Sequence, residues 1–150
     1  MKIALACDHG GLALKREVVK YLEQNGYEAV DFGTDTFDSC DYPDFALRAA
    51  EAVAHGECER GIFVCTTGIG ISIVANKVPG IRCALCTDPY LAKMTREHND
   101  ANVLAMGGGF IGVNLALETV KTFLTTAFSG EAKHQRRIDK ITAIEKKYCR

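Results

Sequence analysis

Residues 62–76 read IFVCTTGIGISIVAN, and this stretch decides the fold class. Its first four residues, ending at Cys65, form a short apolar run that predicts a buried strand. Residues 66–70 are a glycine-rich turn, and the apolar residues that follow predict a helix through about residue 76. A strand, a tight turn and a helix in this order are the first half of a βαβ unit.

The same alternation extends along the rest of the chain. Further strands are predicted at residues 3–7, 29–32, 81–86 and 103–106, with amphipathic helices between them. Alternating strands and helices with right-handed crossovers predict a doubly wound, Rossmann-like fold, in which a five-stranded parallel sheet carries helices on both faces. No repeat or linker divides residues 1–150, so we expect one domain. A last helix with an apolar stripe at Ile138, Ile141 and Ile144 is predicted to dock onto a second chain.

Composition narrows the class of protein. Of the 150 residues, 47% are hydrophobic and 25% charged, which is typical of a globular domain. The net charge of −1 argues against nucleic acid or an acidic membrane surface as a partner. The apolar start of the chain is too short for a signal peptide, and no apolar run approaches the roughly 18 residues that cross a bilayer. We therefore expect a cytoplasmic protein.

The chain has seven cysteines, which we expect to be free thiols in a reducing compartment. Cys83 and Cys86 form a C-x-x-C pair, but they lie on a predicted strand. Positions i and i+3 of a strand point to opposite faces, so this pair forms neither a redox dithiol nor half of a zinc site. We expect no metal and no cofactor.

Ligands of such sheets bind beyond the carboxyl ends of the strands. Asp8 and His9 follow the first strand, residues 65–70 the third, and residues 107–109 the fifth. The N–H groups of the TTGIG turn can converge on an oxyanion, although an ordinary βα turn has the same appearance. Helix N-terminal N–H groups favour a thiolate, so Cys65 is a candidate base; the alternative is a small core residue.

Two further groups of residues could carry chemistry. His9 and His98 are each flanked by a carboxylate and could shuttle protons, or with Asp8 and Asp100 bind a metal, although none has the i, i+4 spacing of a helical metal pair. A basic cluster opens the last helix, and it is either a solvated face or a site for an anion such as phosphate. Its members are Lys133, His134, Arg136, Arg137 and Lys140.

These segments together resemble one family. From Met1 to about Tyr148 the chain is similar to type B ribose-5-phosphate isomerases and their relatives, the galactose-6-phosphate isomerase subunits. The matching segments are IALACDHGG, VDFGT, DYPDFA, GIFVCTTGIGISIVANKVPGIRCAL, REHNDANVLAMGG and KHQRRIDKI. Ile71 stands where one branch of the family has a Glu, which implies the branch that uses a Cys.

The resemblance implies a role for each matching residue. Cys65 would be the base that moves a proton between C1 and C2, and His98 with Asp8 would open the sugar ring. The ene-diolate oxygens would be held by Thr67 and by the N–H groups of Gly68, Ile69 and Gly70. Sugar contacts would come from Tyr42 and Asn99. Phosphate contacts would come from His9, Lys133, His134 and Arg137.

The resemblance also implies a reaction and an assembly. We expect an isomerase that interconverts ribose 5-phosphate and ribulose 5-phosphate without metal, or one that acts on a hexose 6-phosphate of the allose or galactose type. The expected assembly is a homodimer or homotetramer whose pockets are shared between chains. Two other classes remain open: a flavodoxin-like binding module, for which a yellow protein would argue, and a metal-dependent hydrolase, which a chelator would inactivate.

The chain departs from the family pattern at three positions. Relatives usually have Arg where this chain has Gly109 and Lys133, and Thr66 replaces a common Gly. The first two changes weaken the expected phosphate site, because Lys lacks the two-pronged geometry of Arg and Gly has no side chain.

Overall fold

Strands and helices alternate in the computed structural model, which describes residues 1–148. The strands are β1 (Lys2–Cys7), β2 (Glu28–Asp31), β3 (Arg60–Cys65), β4 (Cys83–Leu85) and β5 (Val103–Gly107). The helices are α1 (Leu12–Gln24), α2 (Tyr42–Ala54), α3 (Ile69–Ala75), α4 (Pro89–Asn99), α5 (Val113–Thr125) and α6 (Ala132–Tyr148). No helix in this described part is long and apolar enough to cross a membrane.

All five strands are parallel, in the order β2-β1-β3-β5-β4. The chain first moves from β1 outward to β2 and then crosses back to β3 on the other side of β1. The loops after β1 and β3 therefore diverge at this switch point, where α/β sheets bind ligands. In the register Cys7 pairs with Val64, and Cys65 pairs with Gly107. The predicted fold class is confirmed.

The side chains of the central strands alternate between two buried layers. Ile3 and Leu5 face the layer that holds α1 and α5, whereas Ala4 and Ala6 face the layer that holds α2 and α3. The second layer is rich in alanine, which lets α2 pack close to the sheet. Cys65 points into this second layer at the end of β3.

Strand β4 is shorter than the prediction of residues 81–86. It lies at the edge of the sheet, and the side chain of Asn102 accepts the N–H of Arg82 at 2.8 Å in place of a strand partner. In α6, Ile138 is buried within the chain, where α6 contacts α4, while Ile141 and Ile144 are 47% and 60% exposed. The use of α6 in contacts between chains stays a prediction.

Lys15 is a buried cation that ties α1 to the loop after β2. It is 2% exposed, and its Nζ lies 2.7 Å from the Asp31 carboxylate and 2.7 Å from the Thr34 carbonyl that accepts its hydrogen bond. Burial by itself disfavours the charged amine, but the bond to Asp31 and the nearby charges raise the pKa of Lys15 above 10.5. The loop that leads to α2 is thereby anchored.

We predict that Lys15→Met lowers the free energy of unfolding by about 1–3 kcal/mol, because Asp31 and the Thr34 carbonyl lose their partner. Since the folded pKa is the raised one, this stabilisation is present below 10.5 and is lost as the pH rises through the folded pKa. Urea unfolding of both proteins between pH 7 and 11 measures the difference. A constant difference across this range would contradict an electrostatic origin.

Candidate functional site

The expected site residues lie at two opposite edges of the sheet. At the carboxyl edge, where the strands end, the fold brings together Asp8, His9, Tyr42, Cys65, Thr67, Gly68, Ile69 and Gly70. At the amino edge, where the strands begin, it brings together the end of α4 and the start of α6, which carry His98, Asn99, Lys133, His134 and Arg137. We call these the carboxyl-edge and amino-edge half-sites.

The turn after β3 holds the Cys65 thiol against backbone N–H groups. The N–H of Gly68 donates to Cys65 Sγ at 3.2 Å, and the N–H of Ile69 donates to Thr67 Oγ1 at 3.2 Å. The N–H of Gly70 has no partner within residues 1–148. Gly68 has φ of +77°, and a Cβ there would lie 2.5 Å from Leu85 Cδ1, so only glycine suits this turn.

The turn can therefore serve two tasks with different groups. Cys65 is 4% exposed and accepts one N–H, which stabilises negative charge on its sulfur. The free N–H of Gly70 can receive an oxygen on which charge develops. Of the three expected N–H groups of the oxyanion hole, Gly68 and Ile69 thus donate within the turn itself, and Gly70 is the open donor.

Asp8 and His9 follow β1 directly beside this turn. Asp8 is 5% exposed, and its Oδ1 accepts the N–H of Gly11 at 3.0 Å. No cation pairs with Asp8 in the described chain, so its carboxylate is available to a ligand. His9 Nδ1 accepts the N–H of Cys40 at 3.3 Å, which leaves Nε2 as a donor when the ring is neutral.

Tyr42 closes the carboxyl-edge half-site from the start of α2. A Cβ built on Gly70 would lie 2.6 Å from Tyr42 Cζ and 2.8 Å from its hydroxyl oxygen. The ring end of Tyr42 therefore lies against Gly70, and its hydroxyl is next to the open N–H donor. A sugar hydroxyl at this place would have both groups within reach.

In the amino-edge half-site two imidazoles are stacked. The ring centroids of His98 and His134 lie 4.3 Å apart with 36° between the ring planes. His98 is exposed near the end of α4, whereas His134 is 4% exposed on the first turn of α6. Burial, and then the charge of the neighbouring His98, lower the pKa of His134 below 6.5. The lowered pKa favours the neutral form of the His134 ring.

Ser129 orients the buried imidazole. Its oxygen accepts the N–H of Glu131 at 3.3 Å and lies 2.8 Å from His134 Nδ1. The hydroxyl proton is then free to be donated to Nδ1, and we assign the Nε2–H tautomer to His134 on this ground. His134 is thus a neutral donor and not the cationic phosphate contact that a basic cluster suggests.

Arg82 fixes the end of α4 that presents His98 and Asn99. Its guanidinium donates to the carbonyls of Asn99 at 2.8 Å and Asp100 at 2.9 Å. Asp100 adopts the left-handed conformation with φ of +46° and ends the helix. The Asn99 side chain has no hydrogen bond within residues 1–148, so it is free to contact a ligand.

The basic cluster is less positive than its sequence indicates. Lys133 Nζ forms an ion pair with Glu131 at 3.0 Å, and His134 is neutral. Arg137 is exposed and has no acidic partner within 4.0 Å among the described residues. Arg137 is therefore the one free cation among the three expected phosphate ligands of α6 in the part of the chain described.

The two half-sites do not meet within one chain. A five-residue strand such as β5 spans about 16 Å at roughly 3.3 Å per residue, which separates the two edges of the sheet. In a single chain Cys65 and His98 therefore lie at opposite edges of the sheet. The physical reason is that α4 precedes β5, so its end must return to the edge where β5 begins.

Three residues of the half-sites were missed by sequence reasoning: Ser129, Glu131 and Arg82. All three residues make contacts in loops or with backbone carbonyls, and hydrophobic periodicity in the sequence does not predict such contacts. Among residues 1–148, no group of three or more His, Cys, Asp or Glu is arranged to hold a metal ion.

We predict that His134 titrates below 6.5 in a histidine NMR titration and has an unprotonated Nδ1 at pH 7. Because its folded pKa lies below the unfolded one, protonation opposes folding, and stability falls as the pH drops below about 6.5. Ser129→Ala should raise this pKa, since Nδ1 loses its donor. An unchanged titration in that variant would remove Ser129 from the site.

Comparisons with known proteins identify the family of the chain. Residues 3–141 match the family model described as Ribose/Galactose Isomerase. The chain is 47% identical to ribose-5-phosphate isomerase B of Escherichia coli, over 97% of each chain. A solved structure of ribose-5-phosphate isomerase B from Clostridium thermocellum is 57% identical, with a TM-score of 0.97 over 99% of both chains.

A second solved structure, type B ribose 5-phosphate isomerase of Trypanosoma brucei, is 47% identical with a TM-score of 0.93, over 96% of this chain and 98% of that one. Both the sequence matches and the structural matches run nearly end to end. The expected resemblance is confirmed, and the chain belongs to the ribose/galactose isomerase family.

Proposed function

We propose that this protein interconverts ribose 5-phosphate and ribulose 5-phosphate. The observation that carries the proposal is Cys65, a thiol held by a backbone N–H at the switch point of the sheet, next to a free N–H donor. The names of the relatives support a pentose phosphate as substrate. Six cysteines of the described chain are free thiols, which supports a reducing compartment such as the cytoplasm.

The reaction begins with ring opening, because the cyclic sugar has no acidic C2 proton. His98 donates a proton to the ring oxygen while Asp8 accepts the proton of the C1 hydroxyl, which leaves an open-chain aldehyde. Asp8 suits the second task because it is buried and carries no paired cation in the described chain. His98 suits the first because it is exposed at the end of α4.

The isomerisation then moves one proton between two carbons. The Cys65 thiolate takes the proton from C2, and the electron pair shifts to the aldehyde oxygen, which forms an ene-diolate. The N–H of Gly70 and the hydroxyl of Thr67 stabilise the charged oxygen. Cys65 returns its proton to C1, and the proton of the C2 hydroxyl moves to the C1 oxygen, so that the ketose forms with no net gain or loss.

The ring-opening and proton-transfer residues need two copies of the chain. Cys65 and Asp8 belong to one half-site and His98 to the other, so one molecule cannot supply both to one sugar. We infer that the carboxyl-edge half-site of one protomer faces the amino-edge half-site of its partner, in a homodimer or homotetramer with two equivalent sites per pair.

Apolar surface next to each half-site supports this assembly. A hollow of about 440 Å³ adjoins Thr67 and is lined by exposed apolar residues, among them Ile69, Leu85 and Phe110. A second hollow of about 520 Å³ adjoins Asn99 beside the exposed Ile141 and Ile144 of α6. Apolar patches of this kind suit a protein surface better than a polar sugar.

We predict that Cys65→Ala folds normally and loses activity on ribose 5-phosphate by at least about 10²-fold, since a general base contributes that much. The measurement is the initial rate with identification of the product. An Ala variant with near-normal turnover would remove Cys65 from the mechanism. If the wild-type protein converted a hexose 6-phosphate faster than ribose 5-phosphate, the hexose phosphate would be the substrate instead.

We predict that two inactive variants restore activity when they are mixed. In hybrids of Cys65→Ala and His98→Asn, one of the two sites has both residues intact, so random mixing after refolding recovers about one quarter of the wild-type rate. The measurement is isomerase activity against the mixing ratio, with the mass of the assembly from light scattering.

The matched control mixes Cys65→Ala with Thr67→Ala. Both residues lie in the carboxyl-edge half-site, so every site of the hybrid is damaged and no activity returns. A monomeric mass with full activity, or an equal recovery in the control mixture, would refute the shared site.

A further inference from the structure

Glu131 lies among the residues expected to bind the phosphate group. Its carboxylate is 3.0 Å from Lys133 Nζ, and both side chains are more than half exposed. The hydrogen bond and the charge of Lys133 lower the pKa of Glu131, so the carboxylate is charged. Sequence reasoning gave this residue no role.

Glu131 also holds the position immediately before α6. Its carbonyl accepts the N–H groups of His134 at 2.9 Å and Gln135 at 3.0 Å, which makes it the residue that caps the helix. A carboxylate at this end of a helix interacts favourably with the helix dipole. A phosphate that binds here would interact with the same positive potential at the start of α6 and with the same Lys133 ammonium group.

We propose that Glu131 is a specificity-determining residue that occupies the phosphate subsite of the amino-edge half-site and weakens its preference for phosphorylated sugars. A phosphate dianion must displace the carboxylate from Lys133 and then lies beside a like charge. An unphosphorylated sugar neither displaces the carboxylate nor carries a charge that it would repel. The inference rests on the proposed function, because it concerns the substrate of that same site.

The other charges around the subsite do not offset this effect in full. His134 is a neutral donor, and Lys133 is shared with Glu131. Arg137 remains as a free cation, and the exposed His98 lies against His134. The single negative charge of Glu131 therefore changes the net charge around the subsite substantially, although solvent screens each exposed pair.

The test compares Glu131→Gln with the wild-type protein. Because the substitution frees Lys133 and removes a like charge, KM for ribose 5-phosphate should fall by about two- to fivefold. KM for free ribose should not change, and the difference should shrink at high salt. Glu118→Gln is the matched control, since it breaks an exposed Lys–Glu pair on α5, which carries none of the residues of the subsite.

A direct binding measurement separates this inference from the proposed function. Calorimetric titration with inorganic phosphate should show tighter binding to Glu131→Gln than to the wild type by a similar factor, whatever the reaction is. Glu131→Asp, which keeps the charge at the cap, should bind phosphate like the wild type. Equal phosphate affinity in all variants, or an equal change of KM for free ribose, would overturn the role of Glu131. Absence of isomerase activity in the wild type would instead overturn the proposed function.

Discussion

All five strands run in the same direction, and this determines the edge of the sheet at which each candidate site residue lies. Each strand ends at the carboxyl edge, and each helix must carry the chain back to the amino edge before the next strand can begin. Residues just after a strand and residues at the end of a helix therefore lie on opposite sides of the molecule. Cys65 and His98 are such a pair, so the proposed shared site needs a second copy of the chain to bring them together.

Close packing of small residues sets the shape of the carboxyl edge. A Cβ on Gly10 would collide with the Thr66 hydroxyl, and a Cβ on Gly109 would lie 3.0 Å from Thr66 Cγ2 and 3.1 Å from its carbonyl oxygen. Any side chain at position 109, Arg included, requires Thr66 to shift. The departures from the family pattern at positions 66 and 109 are thus coupled through one contact. Substitution of Gly109 by Arg alone would place its Cβ too close to Thr66.

Most of the fold was predictable from periodicity, because each element buries one face against the sheet. The alternation of Ile62 and Val64 with Phe63 and Cys65 between two layers is a direct result of the strand period. The prediction was wrong where a side chain replaced a backbone partner, as Asn102 does at the start of β4. The loop contacts of Ser129 and Glu131 had no signal, since they depend on where two helices end relative to each other.

The position of His98 at the amino edge, by contrast, could have been predicted from the order of helices and strands in the sequence. A residue at the end of a helix that precedes a parallel strand must lie at the amino edge, whatever its side chain. Topology, and not residue type, decides which candidate residues can share one ligand.

Comparison among the cysteines shows how the surroundings of the Cys65 thiol differ from those of other buried thiols. Burial raises the pKa of Cys7 to about 11 and that of Cys86 to about 12, and it raises the pKa of Cys83 as well. Burial alone therefore makes a thiol a poor base at neutral pH. Cys65 is nearly as buried as Cys7 and Cys86, but its sulfur accepts the N–H of Gly68 at the start of α3. The left-handed turn at Gly68 directs this N–H back onto the sulfur, and in the proposed mechanism it is the polar contact of the Cys65 thiol.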